Sequence, residues 1–145
     1  MGFLVGNKDV IANFKHLRSQ IDYGTFLPVQ YGAVAALTGP DDFIIEQCAE
    51  YQRRRDALCD GLKELGMDFA RSEGTMFAWG KIPQKYGNDD VSFVMDLMKE
   101  TGIICTPGSS FGINGKGYVR FALVLPVDKI KEALTRLGGA LNVIR

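Results

Sequence analysis

Apolar positions recur at two spacings along this chain, helical in the first sixty-odd residues and mixed with strand-like alternation after Gly66. Met1-Gly-Phe-Leu-Val-Gly6 is apolar throughout and reads as a short strand without a polar lead-in, as though the chain begins inside a sheet. Asn7 can cap a helix running to about Ile21, because Val10, Ile11, Phe14, Leu17 and Ile21 fall near the helical period. Gly24 and Pro28 break that pattern, and Pro28 suits the first turn of a helix over Val29–Leu37 that closes at Gly39-Pro40. Gly32, Ala33, Ala35 and Ala36 leave room for another backbone, so this helix is predicted to be packed on most sides.

Asp41 or Asp42 starts the longest helix, which ends near Gly66. Its apolar stripe is Ile44, Cys48, Tyr51, Leu58, Leu62 and Leu65, interrupted where Arg55 falls on it. Glu50 and Arg54 stand four apart with the acid first, a pair worth about 0.2–0.5 kcal/mol. The run Arg53-Arg54-Arg55 therefore reads as a solvated helix face. Met67–Ala70 and Met76–Ile82 read as strands, and Asp89-Asp90 starts a helix that Gly102 ends. Ile103–Thr106 reads as a short buried strand, Pro107–Gly112 as a loop and Tyr118–Val124 as a further strand. A last helix begins near Pro126, with a stripe of Val127, Ile130, Leu134, Leu137, Leu141 and Ile144. The fold class is α/β (α+β), a small mixed or antiparallel sheet covered by helices chiefly on one face.

Composition narrows the function classes. Lys plus Arg and Asp plus Glu each number 17, so no basic excess points to nucleic acid or to anionic lipid. No apolar run approaches the length of a membrane span and no signal pattern opens the chain, which points to a cytoplasmic protein. Cys48, Cys59 and Cys105 are odd in number and widely spaced, and are read as buried free thiols. With one histidine, His16, and no C-x-x-C pair, no metal site is expected.

Arg120 is the candidate for chemistry. Alternation puts Val119, Phe121 and Leu123 on one strand face, and Tyr118, Arg120, Ala122 and Val124 on the other. A guanidinium in an otherwise apolar strand wants an anion, and its planar fork matches a carboxylate with two parallel bonds. An arginine salt-bridged to a neighbour on a solvated face is the competing reading. Other features have plainer explanations. Gly112, Gly115 and Gly117 precede a strand and fit a turn rather than a phosphate loop. The pairs Asp41-Asp42 and Asp89-Asp90 stand at helix starts, where capping and the helix dipole account for them. Phe77 and Trp79 share a strand face and are read as core.

Six segments then carry a resemblance. Gly2-Phe-Leu-Val-Gly-Asn7 resembles the segment just after the cofactor-phosphate arginine of class I/II aminotransferases of fold type I. Tyr23-Gly-Thr-Phe-Leu-Pro-Val-Gln30 resembles the connector of their alanine aminotransferase-like branch. Tyr51-Gln-Arg-Arg-Arg-Asp56, Met76-Phe-Ala-Trp-Gly-Lys-Ile-Pro83, Thr106-Pro-Gly-Ser-Ser-Phe-Gly112 and Tyr118-Val-Arg-Phe-Ala-Leu123 follow in the family's order and spacing. The resemblance covers essentially the whole chain, as a C-terminal portion. It implies that residues 1–40 are the end of the large cofactor domain with its connector, and residues 41–145 the C-terminal small domain. It implies that Arg120 grips the substrate α-carboxylate. It also implies that Tyr23, Thr25 and Phe26 lie in a connector near the dimer interface and the partner's active site.

The resemblance implies pyridoxal 5'-phosphate as cofactor, an L-amino acid and a 2-oxo acid as substrates, and a homodimer for the full-length protein. Alanine with 2-oxoglutarate is the implied pair, with methionine- or aspartate-directed relatives as alternatives. One departure bears on this chain. None of its nine lysines, Lys8, Lys15, Lys63, Lys81, Lys85, Lys99, Lys116, Lys129 and Lys131, follows the family's Ser-Lys pattern. Transamination needs a lysine amine to hold the cofactor and to shuttle the α-proton. The chain by itself is therefore expected to hold no cofactor, to have no catalytic residue and to be inactive. Apolar surface left by an absent domain would make it prone to self-association. A stand-alone carboxylate-binding or regulatory module, and a purely structural product, are the competing readings.

Overall fold

A computed structural model describes residues 1–67 and 69–144, the last four of these by their backbone alone. The chain divides into two compact units, Met1–Phe43 and Ile44–Arg145.

In the first unit, Asn7 accepts the backbone N–H groups of Asp9 and Val10 at 2.9 and 3.3 Å and so starts helix α1, Lys8–Ser19. Helix α2, Leu27–Thr38, begins two residues earlier than its sequence pattern indicates, with Pro28 in the first turn and Gly39 as C-cap. Neither helix has a buried residue. The dense packing expected of α2 is absent among the described residues, where nothing lies within 4 Å of the position a Gly32 Cβ would take. Small residues permit a close approach but do not supply the partner. The expected strand at Met1–Gly6 is likewise absent. An extended segment becomes a strand only when a neighbour takes its backbone hydrogen bonds, and no described strand pairs with it.

The second unit takes all but the first two residues of helix α3, Asp42–Glu64, and carries strands β1, Phe69–Ala70, and β2, Phe77–Lys81. Helix α4, Asp90–Thr101, strand β3, Thr106–Pro107, strand β4, Tyr118–Ala122, and helix α5, Val127–Ile144, complete it. The sheet is antiparallel throughout in the order β1-β2-β4-β3. Its core face presents Phe69, Ala78, Val119, Phe121 and Leu123 to Leu58 and Leu62 of α3, Phe93 and Leu97 of α4, and Ile130 and Leu137 of α5. The α5 stripe is thus confirmed at Ile130 and Leu137, while the side chains of Leu141 and Ile144 lie outside the described residues. Asp68, inside the expected first strand, also lies outside them. The segment Ile103–Thr106 pairs only from Thr106 onward, and Ile104 is 81% exposed, so the buried strand expected there is an edge bridge. No helix among the described residues is long and apolar enough to cross a membrane.

Candidate functional site

The sheet face turned away from the core carries the candidate site. Trp79 pairs across β2 and β4 with Arg120, which pairs in turn with Thr106 of β3. Phe77 and Trp79 share a face as expected, but it is the outer one, which corrects their assignment to the core. The reason lies in β1. Phe69 lays its ring over Gly80, where a Cβ would overlap it, so β2 can present only Ala78 and Gly80 inward. The large residues of β2 are left for the outer face.

Arg120 is half-buried, with its guanidinium carbon 4.0 Å from the Phe77 ring centroid and 4.3 Å from that of Phe111. Trp79 meets Phe111 edge-on at 5.6 Å and stacks on Tyr118 at 5.7 Å. Aromatic faces favour a cation but leave its in-plane N–H groups free to donate. Here the described arginines separate clearly. Arg18, Arg53, Arg54, Arg55, Arg71 and Arg136 each donate to an oxygen. Arg120 makes no hydrogen bond or ion pair among the described residues, so the salt-bridged alternative has no partner there. The other described arginines have partners within the fold. Arg53 and Arg54 both bind Glu50, at 2.6 and 2.7 Å, and hold its carboxyl below the usual range. Arg54 also reaches the carbonyls of Leu123 and Val124, and Arg55 that of Ser72. The solvated-face reading of the arginine run therefore applies to Arg53 only, because the other two satisfy carbonyls beyond the helix.

Phe111 comes from a short 3-10 turn, Gly108–Phe111, that the sequence shows only as loop. Gly108 and Gly115 lie back to back, and a Cβ on either would overlap the other's carbonyl oxygen. Asp90 fastens the same turn by accepting the Ser109 N–H at 2.6 Å, and its side chain is buried. Capping of α4 falls to Asp89, which accepts the Ser92 N–H at 3.0 Å. Only one carboxylate is needed for a cap, so the second of the Asp89-Asp90 pair was the available sign of another role.

Tyr23, Thr25 and Phe26 belong to the first unit, and Arg120 to the second. Tyr23 is fully exposed, Phe26 is the N-cap residue of α2, and Thr25 is half-buried. The turn before them closes as Asp22 accepts the Gly24 N–H at 2.8 Å, and Gln30 donates to the Thr25 carbonyl at 2.6 Å. Of the three thiols, Cys48 is exposed, contrary to expectation, because the first turns of α3 contribute nothing to the core. Burial pushes the Cys105 thiol up to about 12 and also raises that of Cys59. All nine lysines are exposed.

The sequence and the fold were compared with known proteins. The family model of aminotransferases of class I and II matches residues 1–137. LL-diaminopimelate aminotransferase of Halothermothrix orenii is 41% identical over 140 residues, which make up 97% of this chain and 36% of that protein. Glutamate-pyruvate aminotransferase AlaC of Escherichia coli is 38% identical over 135 residues, 92% of this chain and 33% of that protein. Among solved structures, an aminotransferase from Staphylococcus aureus superposes with a TM-score of 0.85 at 33% identity, covering 97% of this chain and 37% of that one. The chain thus spans about a third of the length of the relatives it matches. With a family model matching nearly its full length, and relatives of that family in both sequence and fold, this chain belongs to the aminotransferases of class I and II.

Proposed function

We propose that this chain provides the substrate-carboxylate anchor of an aminotransferase that moves an amino group between an L-amino acid and a 2-oxo acid. The observation that carries the reading is Arg120, a half-buried guanidinium set among rings and without an oxygen acceptor among the described residues. A bidentate contact from it to an α-carboxylate is worth about 1.5–3 kcal/mol, enough to orient an amino acid. Phe77 and Phe111, the latter 50% exposed, cover part of the guanidinium and lower the water content beside that contact.

Alanine with 2-oxoglutarate is the pair we assign. The connector Tyr23–Gln30 supports it, as does the Escherichia coli relative, whose name describes the same exchange in reverse. The Halothermothrix relative favours a second reading, with LL-diaminopimelate as amino donor. We place the full-length protein in the cytoplasm as a homodimer, where Tyr23, Thr25 and Phe26 would reach the partner's active site.

Pyridoxal phosphate does not fit the residues of this chain alone. Every lysine is exposed, whereas an amine that holds the cofactor needs an enclosed setting to tune its pKa. The group supplies an electron sink for the α-carbon where the rest of the protein binds it. The chain by itself accordingly binds a carboxylate and performs no transamination.

Titration of the chain with alanine and with 2-oxoglutarate tests this, followed by the nitrogen–proton cross-peaks of the Arg120 Nε and of Trp79, the sole tryptophan. Saturable shifts of both peaks are expected, and the Trp79 shift should be lost in Arg120→Ala with an unchanged thermal melt. Shifts that survive in the variant would remove Arg120 from the site. The same preparation, treated with pyridoxal phosphate and borohydride, should show no stoichiometric adduct by intact mass. A single adduct discharged by alanine would mean that one of the nine lysines does the chemistry.

A further inference from the structure

Asp90 is the one carboxylate among the buried polar side chains described, at 2% exposure. Burying a carboxylate is costly unless its charge is answered. Two features answer it here. Asp90 is the first residue of α4, where the positive end of the helix dipole favours an anion, and its Oδ2 accepts the Ser109 N–H at 2.6 Å. The cap itself is already supplied by Asp89, so Asp90 is free to reach across to residue 109.

Ser109 lies in the turn Gly108–Phe111, two residues before Phe111. Within that loop the Gly112 N–H donates to the Ser109 carbonyl, the Gly115 N–H to that of Gly112 and the Lys116 N–H to that of Ile113. The ends of the loop are held to the sheet, where Pro107 pairs with Val119 and the Ile82 N–H donates to the Gly117 carbonyl. The Asp90 bond ties the turn to α4, whose Phe93 and Leu97 are fully buried in the core. The ring that stands 4.3 Å from the Arg120 guanidinium carbon is thereby referenced to a helix packed into the core.

We infer that Asp90 is a positioning residue for the carboxylate site, holding Phe111 against Arg120 and Trp79 through its bond to the Ser109 N–H. The inference rests on the reading of Arg120 as the carboxylate anchor. Asp90 touches neither the substrate nor Arg120; its effect passes through the turn. Without the bond, Phe111 swings away from the guanidinium and the fork loses one of the two faces that set its plane.

The test compares Asp90→Ala, Asp90→Asn and Phe111→Ala in the full chain. Alanine affinity and the Arg120 Nε and Trp79 cross-peaks are read in each. Asp90→Ala is expected to weaken alanine binding about fivefold, since part of the charge-assisted contact depends on the plane of the fork. It is also expected to move both cross-peaks toward their Phe111→Ala positions. Asp90→Asn should restore most of both readouts, because its amide oxygen still accepts the Ser109 N–H. Wild-type affinity and wild-type cross-peaks in Asp90→Ala would overturn the inference. If the wild-type chain binds no alanine, the carboxylate reading fails on its own, and the cross-peaks alone decide whether Asp90 places Phe111. Where Asp90→Ala does not fold, Asp90→Thr, with a shorter acceptor arm and nearly the same volume, replaces it under the same outcomes.

Discussion

Helices α1 and α4 make a controlled pair. Each has 12 residues, and each starts at a capping residue, Asn7 or Asp89, that accepts backbone N–H groups. Each carries an apolar stripe at helical spacing. In α4 that stripe is buried, with Phe93 and Leu97 fully out of water. In α1 Val10, Phe14 and Leu17 are exposed and only Ile11 is half-buried. The two units differ in the same way, for every residue of the hydrophobic core described lies in the second. Local signals thus suffice to start and stop a helix, while burial depends on a facing surface. An isolated helix of this length is marginal in water, so α1 and α4 should differ widely in stability despite their similar sequence pattern.

Truncation of a core ring is the strongest way to break that comparison. Phe93→Ala should destabilise the second unit by about 3–5 kcal/mol in urea unfolding. Leu17→Ala, the matching change in α1, should leave that transition within about 0.5 kcal/mol. Equal losses would mean that the first unit shares a core with the second.

A pH ramp sharpens the comparison next. Burial raises the Cys105 thiol from its ordinary 9.0 to about 12, and burial followed by the bond to Asp96 raises the Tyr86 hydroxyl from 10.0 to about 12. Both groups are held neutral by the fold. Their contribution is therefore fully present below their unfolded values and is lost as pH rises through about 9 to 12. Urea midpoints of the second unit should fall across that window, and less steeply in Cys105→Val and Tyr86→Phe. A flat profile would show these groups to be in water.

The smallest effect is expected at a cap. Asn7→Ala removes the acceptor for Asp9 and Val10 and should lower α1 helicity by circular dichroism, at a cost of about 1 kcal/mol to that helix. The thermal transition of the second unit should stay in place. Its movement would indicate that α1 is cooperative with the core.

Much of this was legible in the sequence, because it is written in nearest neighbours along the chain. Helical spacing, Asn7 as a cap, Gly102 as a stop and the alternation about Arg120 each depend on residues within a turn or a strand of one another. The six matching segments added the family. The candidate site was legible only at its centre. Arg120 declares itself as a charge in an apolar strand, but its rings arrive from β2 and from a turn nine residues away, and neither distance is visible in a linear pattern.

The sequence by itself thus determined which segments are helices, which face of β4 is apolar and which arginine interrupts an apolar strand. Only the tertiary structure decided that Phe77 and Trp79 face outward, that Met1–Gly6 is no strand and that α2 is bare. It also gave Asp90 its buried bond to Ser109. In each case what decides is whether a residue distant along the chain supplies a contact. Phe69 over Gly80 takes the space a side chain of β2 would need, and a carboxylate bonds an N–H that lies 19 residues on. Periodicity records how a segment can fold; the neighbour that packs against it determines which face is buried.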